Sequence, residues 1–116
     1  MPPAVEEIER IVGNASQTGV LPDKDEEVLQ EFFNDFERRA RGLYDGALAI
    51  TSQTYDREHI AKFWQGQRES FEAQLVVATR MERKLRNIPT GLDLSSLIAT
   101  LETLIDACSE HYEFHA

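Results

Sequence analysis

The chain has 116 residues, 41% of them hydrophobic, and a net charge of −9 at pH 7. That length and composition suit one soluble globular domain and not a disordered chain, and no apolar run approaches the ~20 residues a membrane span needs. The negative field opposes phosphate backbones, which excludes nucleic acid as a general partner.

The charge is unevenly spread. Residues 1–37 hold 10 acidic and 2 basic side chains (−8), residues 38–88 hold 6 and 10 (+4), and residues 89–116 hold 5 and 0 (−5). Antiparallel helices of opposite sign attract, which accounts for a basic middle between acidic ends; the alternative is a charged partner surface. The first ten residues lack the basic start and apolar stretch of a secretory leader. Cys108 is the only cysteine, so no internal disulfide can form, and a reducing cytoplasm is the expected setting.

In chain order, Pro2-Pro3 precede a short amphipathic helix with Val5, Ile8, Ile11 and Val12 on one side. Residues 13–22, GNASQTGVLP, have the composition of a loop. Asp23 and Glu26 then form a cap-and-glutamate pattern that opens a helix over 23–50. Its apolar stripe is Leu29, Phe33, Phe36, Ala40, Leu43, Ala47 and Ile50. Gly42 and Gly46 inside it point either to close approach by a neighbouring helix or to a local kink. The break at 51–56 offers Thr54 or Asp56 as the next cap. A helix over 57–88 carries Ile60, Trp64, Gln67, Phe71, Gln74, Ala78, Met81, Leu85 and Ile88 in the same four-three rhythm. Pro89, Gly91 and Asp93 make a stop, a turn and a cap. The last helix, 94–115, has Leu94, Leu97, Leu101, Leu104, Cys108, His111 and His115 on its stripe.

No stretch alternates with period two, so the expected fold is all-α: an antiparallel up-down bundle of three long helices and a short first one, 1–116 as a single unit. Short turns set the pairing. Around residues 89–93, Leu85 should face Leu97, Gln74 face Cys108, Phe71 face His111 and Gln67 face His115.

The stretch 108–116, CSEHYEFHA, invites a metal reading. Two ligands of one zinc lie within about 4 Å, whereas Cys108 and His115 are roughly 10.5 Å apart along a helix. The expectation is therefore no metal and no other cofactor. Gln67, Gln74, Cys108, His111 and His115 are instead expected to form a polar layer that fixes register at the open end of the bundle.

Two features suggest an interface with another protein, a second copy among the candidates. Leu75-Val76-Val77-Ala78 is apolar all round one turn, so the third helix is either central or covered on its far side by a partner. Ser96, Thr100, Thr103 and Ala107 make a stripe of small uncharged residues on the fourth helix. The expected interface is thus Val76, Val77, Ser96, Thr100, Thr103 and Ala107, in a homodimer. Arg80, Arg83, Lys84 and Arg86 form a basic cluster, expected to pair with the chain's own carboxylates or, failing that, with an acidic partner.

Trp64-Gln65-Gly66 resembles the Trp-x-Gly turn of small secreted helical hairpins, although here the tryptophan falls inside a helical stripe. His59-x-x-Lys62 is similar to part of the His-x-x-Lys-Gly motif of histidine phosphotransfer domains, with Phe63 where that family has glycine. The second resemblance implies a phosphotransfer bundle using His59. No nucleophile–base pair or glycine-rich phosphate loop is evident. The functional expectation is a non-catalytic acidic helical protein acting by protein–protein interaction, of regulator, adaptor, chaperone or immunity type; the alternative is phosphotransfer through His59.

Overall fold

The computed structural model describes residues 5–53 and 56–115. Four helices follow in order: α1 (Val5–Thr18), α2 (Asp23–Thr51), α3 (Arg57–Leu85) and α4 (Ser95–His115), with no strand among the described residues. Successive helices reverse direction and form an elongated bundle of 53 × 27 × 20 Å. α3 and α4 share the most extensive contact, α2 lies mainly along α4, and α1 lies mainly along α3. α2 and α3 each touch all three others, and α3, which shares the most extensive contacts, is the central helix.

α1 is longer than expected. Gly13 and Asn14 are helical, because Ala15 continues the buried series Ile8, Ile11, Val12. Burial of that face outweighs the modest helix preference of Gly, Asn and Ser. The chain turns at Gly19, whose φ of +73° suits glycine and closes the helix with a bond from its N–H to the Ala15 carbonyl.

Pro22, not Asp23, occupies the cap position of α2, in extended conformation and with no side-chain bond to the helix. Asp23, Asp25 and Glu26 lie in the first turn, where the helix dipole favours them. Glu26 does not reach back as in a capping box. Its carboxylate instead accepts from the Gly91 N–H at 2.6 Å, tying the start of α2 to the turn before α4. α2 runs unbroken through Gly42 and Gly46, and a Cβ placed on either would meet open space. A neighbour's close approach at this pair and a break in the helix are therefore both set aside.

Asp56 caps α3, accepting from the Glu58 and His59 N–H groups; Thr54 lies outside the described residues, as do Pro2 and Pro3. α3 ends at Leu85, three residues short of Ile88, and residues 86–94 form a wider connection. Asp93 accepts from the Ser95 N–H at 2.9 Å as α4 begins.

The core runs along the bundle through Ile8, Leu29, Phe33, Trp64, Phe71, Leu97, Leu101 and Cys108. α1 has 14 residues against 29 in α2 and α3, so it spans about half their length. The consequence shows in one heptad column of α2. Leu29 is fully buried and Phe36 half-buried, while Leu43 and Ile50 are exposed, contrary to their expected place in the core.

Candidate interaction surface

The expected polar layer is replaced by an aromatic one. His111 stacks on Trp64 with ring centroids 4.2 Å apart and planes 12° from parallel, and its Nε2 shares a 3.0 Å hydrogen bond with the Tyr44 hydroxyl. Its partner on α3 is thus Trp64, seven residues before the expected Phe71. Both stripes repeat every seven residues, so a one-heptad slip still sets apolar positions against apolar ones. The longer 86–94 connection permits it.

Gln74 donates to Ser70 on its own helix, and among the described residues no hydrogen bond joins Gln67 or Gln74 to either histidine. His115 Nδ1 and Trp64 Nε1 are buried with no partner among the described residues. Cys108 is fully buried, and loss of solvation pushes its thiol pKa up to about 11, against a smaller opposing pull from Arg68. It behaves as a small apolar residue. Among the described residues no three His, Cys, Asp or Glu side chains converge as a metal site.

The small-residue stripe of α4 faces α2, not solvent alone. Glu37 Oε1 accepts from the Ser96 hydroxyl at 2.9 Å, the Thr100 hydroxyl at 2.7 Å and Arg41 Nη2 at 3.2 Å. The Thr100 bond is the main cause holding the Glu37 pKa below the ordinary carboxylate range; desolvation opposes it, and Ser96 and Arg41 add to it. Thr103 donates to the Ala99 carbonyl of its own helix, and Ala107 is half-buried. Ser96 and Thr100 of the expected interface thus make hydrogen bonds to α2 within the chain. The signal was present in the sequence as an uncharged stripe, but sequence cannot tell an internal neighbour from an external one.

Val76 and Val77 differ. They are 57% and 39% exposed, although they sit on the central helix. Val77 borders a shallow hollow with Glu9 and Val12 of α1 and with Arg80, Met81 and Lys84. Val76 projects opposite the buried line Phe71, Ala78 and Leu85, roughly half a turn away at 3.6 residues per turn. Around it Glu69, Ala73, Arg80, Arg83 and Lys84 are all exposed.

The basic cluster does not pair internally as expected. Among the described residues only Arg86 does so, through two bonds to Glu82 at 3.1 and 2.8 Å. Among the described residues Arg80, Arg83 and Lys84 make no ion pair.

No protein-family model, curated protein or solved structure matches this chain. The functional reading therefore rests on its own surfaces. Among the described residues no helix is long and apolar enough to cross a membrane. His59 is exposed at the first turn of α3, with Nδ1 2.5 Å from Asp56 Oδ2. That bond is the leading cause of a lowered Asp56 pKa.

Proposed function

We propose that this protein is a non-catalytic interaction module of the cytoplasm, of regulator, adaptor, chaperone or immunity type, and that it binds protein through the outer face of α3. One observation carries the reading: exposed Val76 and Val77 lie beside Arg80, Arg83 and Lys84, three cations with no ion-pair partner among the described residues. Burying a valine is worth about 1.5–3 kcal/mol, and an exposed apolar centre with charged surroundings has the anatomy of a recognition patch.

A photoreactive amino acid at position 76, activated in cells that express the protein, tests this. Adducts should form at position 76 and be several-fold fewer at Glu102, an exposed α4 position away from this face. Equal labelling at both, or none at either, removes the proposal.

A second reading, phosphotransfer through His59, is favoured by that ring's exposure and by its Nδ1 contact to Asp56, which leaves Nε2 as the acceptor nitrogen. Incubation with phosphorylated receiver domains should then label the wild type and not His59→Gln. No label on the wild type discards it.

A further inference from the structure

The outer face of α3 has a symmetry that its composition conceals. Seven residues before Val76 stands Glu69, and seven after it stands Arg83; four before stands Glu72, and four after stands Arg80. All five side chains are exposed, on a helix that is continuous from Arg57 to Leu85. Positions four and seven residues either side of Val76 lie on one helix face, about 6 and 10.5 Å along the axis. The face therefore runs acidic, apolar, basic. A twofold axis through Val76, perpendicular to the helix, carries each glutamate onto the position of an arginine.

We propose that the partner of this face is a second copy of the same chain, with the two α3 helices antiparallel and Val76 on the axis. Glu69 and Glu72 of each copy then meet Arg83 and Arg80 of the other, so each pair occurs twice. The inference rests on the functional reading above and names its partner. Charge complementarity selects the second copy over other occupants. An acidic protein or an anionic membrane would satisfy Arg80, Arg83 and Lys84 but meet Glu69 and Glu72 with like charge. A parallel arrangement of two copies would set like charges together along its whole length. Antiparallel self-pairing matches both halves of the set Glu69, Glu72, Arg80 and Arg83.

The local chemistry also permits close approach. Ala73 and Gly66 are small and exposed on this side, and a Cβ on Gly66 would meet open space. Among the described residues Glu72 is held only by a 3.2 Å ion pair to Arg68, and its side chain is half exposed, so it can turn to Arg80 of a partner. The centre is small and the rim is ionic, which means a weak, salt-sensitive, isologous dimer.

Sedimentation equilibrium of the full chain, with native mass spectrometry of mixtures, tests the geometry. The wild type should show a monomer–dimer equilibrium that shifts toward monomer as salt rises. Val76→Glu should weaken association at least tenfold while leaving the circular dichroism spectrum and the melting temperature of dilute, monomeric protein unchanged, because the residue is exposed in the single chain. The double variants Glu69→Lys/Glu72→Lys and Arg80→Glu/Arg83→Glu should each be monomeric, and mixing them should yield a heterodimer. That rescue has no explanation in folding alone. A wild type monomeric at high micromolar concentration overturns the proposal, as does a dimer indifferent to these changes or a failure of the mixed pair to associate. If the wild type is monomeric while position 76 still captures a protein of different mass, self-pairing fails and the interaction reading survives. If position 76 captures nothing, both fail.

Discussion

Replacing Thr100 by valine removes one hydroxyl and leaves the shape of the side chain nearly intact. In the wild type that hydroxyl donates to Glu37 Oε1 at 2.7 Å, across the α2–α4 contact, and Thr100 is half-buried. A hydrogen bond to a charged acceptor contributes about 1.5–3 kcal/mol when buried, and partial exposure with two remaining donors, Ser96 and Arg41, brings the expected loss to about 1–2 kcal/mol. For a chain of this size that is a fall in melting temperature of roughly 3–6 °C. The loss should depend on pH in a defined sense. Glu37 has a lowered pKa in the folded state, so its contribution is present above the unfolded carboxylate value near 4.3 and disappears as pH falls through the folded value. Urea unfolding followed by circular dichroism, at neutral pH and near pH 3, should give the full Thr100→Val penalty at the first and a much smaller one at the second. The cycle with Glu37→Gln should show coupling of about 1 kcal/mol at neutral pH. A coupling near zero, or a penalty unchanged by acid, would refute the claim that Glu37 joins α2 to α4 through Thr100.

Gly42→Ala and Gly46→Ala should each stabilise by about 0.4–1 kcal/mol, since both lie inside an exposed helix with room for a Cβ; destabilisation in urea would reveal a covered surface. Gly19→Ala should do the reverse, by about 1 kcal/mol, because the left-handed conformation at φ +73° strains any Cβ. Cys108, buried and with its pKa pushed up to about 11, should resist thiol reagents at pH 8 until urea unfolds the chain; rapid labelling of the native protein would contradict that burial. His111→Leu should raise the emission of Trp64, the single tryptophan, by removing the stacked imidazole at 4.2 Å; unchanged fluorescence would place the two rings apart.

Helix type and order were legible because the apolar positions recur every three and four residues, and a pattern sustained over 29 residues has no competing period. Caps were legible where an aspartate stood alone before a run, as at Asp56, and illegible where proline took the position, as at Pro22 before Asp23. Interhelical register was not legible. A heptad stripe is indifferent to a shift of seven, so Trp64 and Phe71 were equally good partners for His111, and only the length of the 86–94 connection decides between them. Coverage was likewise hidden. Leu43 and Ile50 satisfy the stripe as well as Leu29 does, yet α1 is too short to reach them. The internal bonds of the α4 stripe were hidden for a related reason: Glu37 of α2, which accepts from the Ser96 and Thr100 hydroxyls, is 59 and 63 residues away in sequence.

The alternation of charge along the chain, −8, +4 and −5, was expected to be neutralised between antiparallel neighbours. The ion pairs do not bear this out. Every one among the described residues joins side chains three or four apart on a single helix or its cap. Helices meet instead through apolar packing and a few polar bonds, such as Glu26 to the Gly91 N–H and Arg57 to the Phe114 carbonyl. Segment-level attraction therefore acts only through the diffuse field, which salt screens beyond about 10 Å at 0.1 M. Along α3 as a whole the charges are mixed, with Arg57, Glu58, Lys62, Arg68, Glu69 and Glu72 before Val76 and Arg80, Glu82, Arg83 and Lys84 after it; only on the exposed face within seven residues of Val76 do Glu69 and Glu72 precede it and Arg80 and Arg83 follow. That placement of two glutamates before two arginines on one face suits the helix dipole, which accounts for its polarity. It does not account for exposed valines at the midpoint, where an isolated solvent-facing helix would carry charge. The combination of dipolar charge and an apolar centre is what an antiparallel self-pairing requires, and for that reason charge exchange at Glu69, Glu72, Arg80 and Arg83, more than any loss of apolar area, is the decisive perturbation.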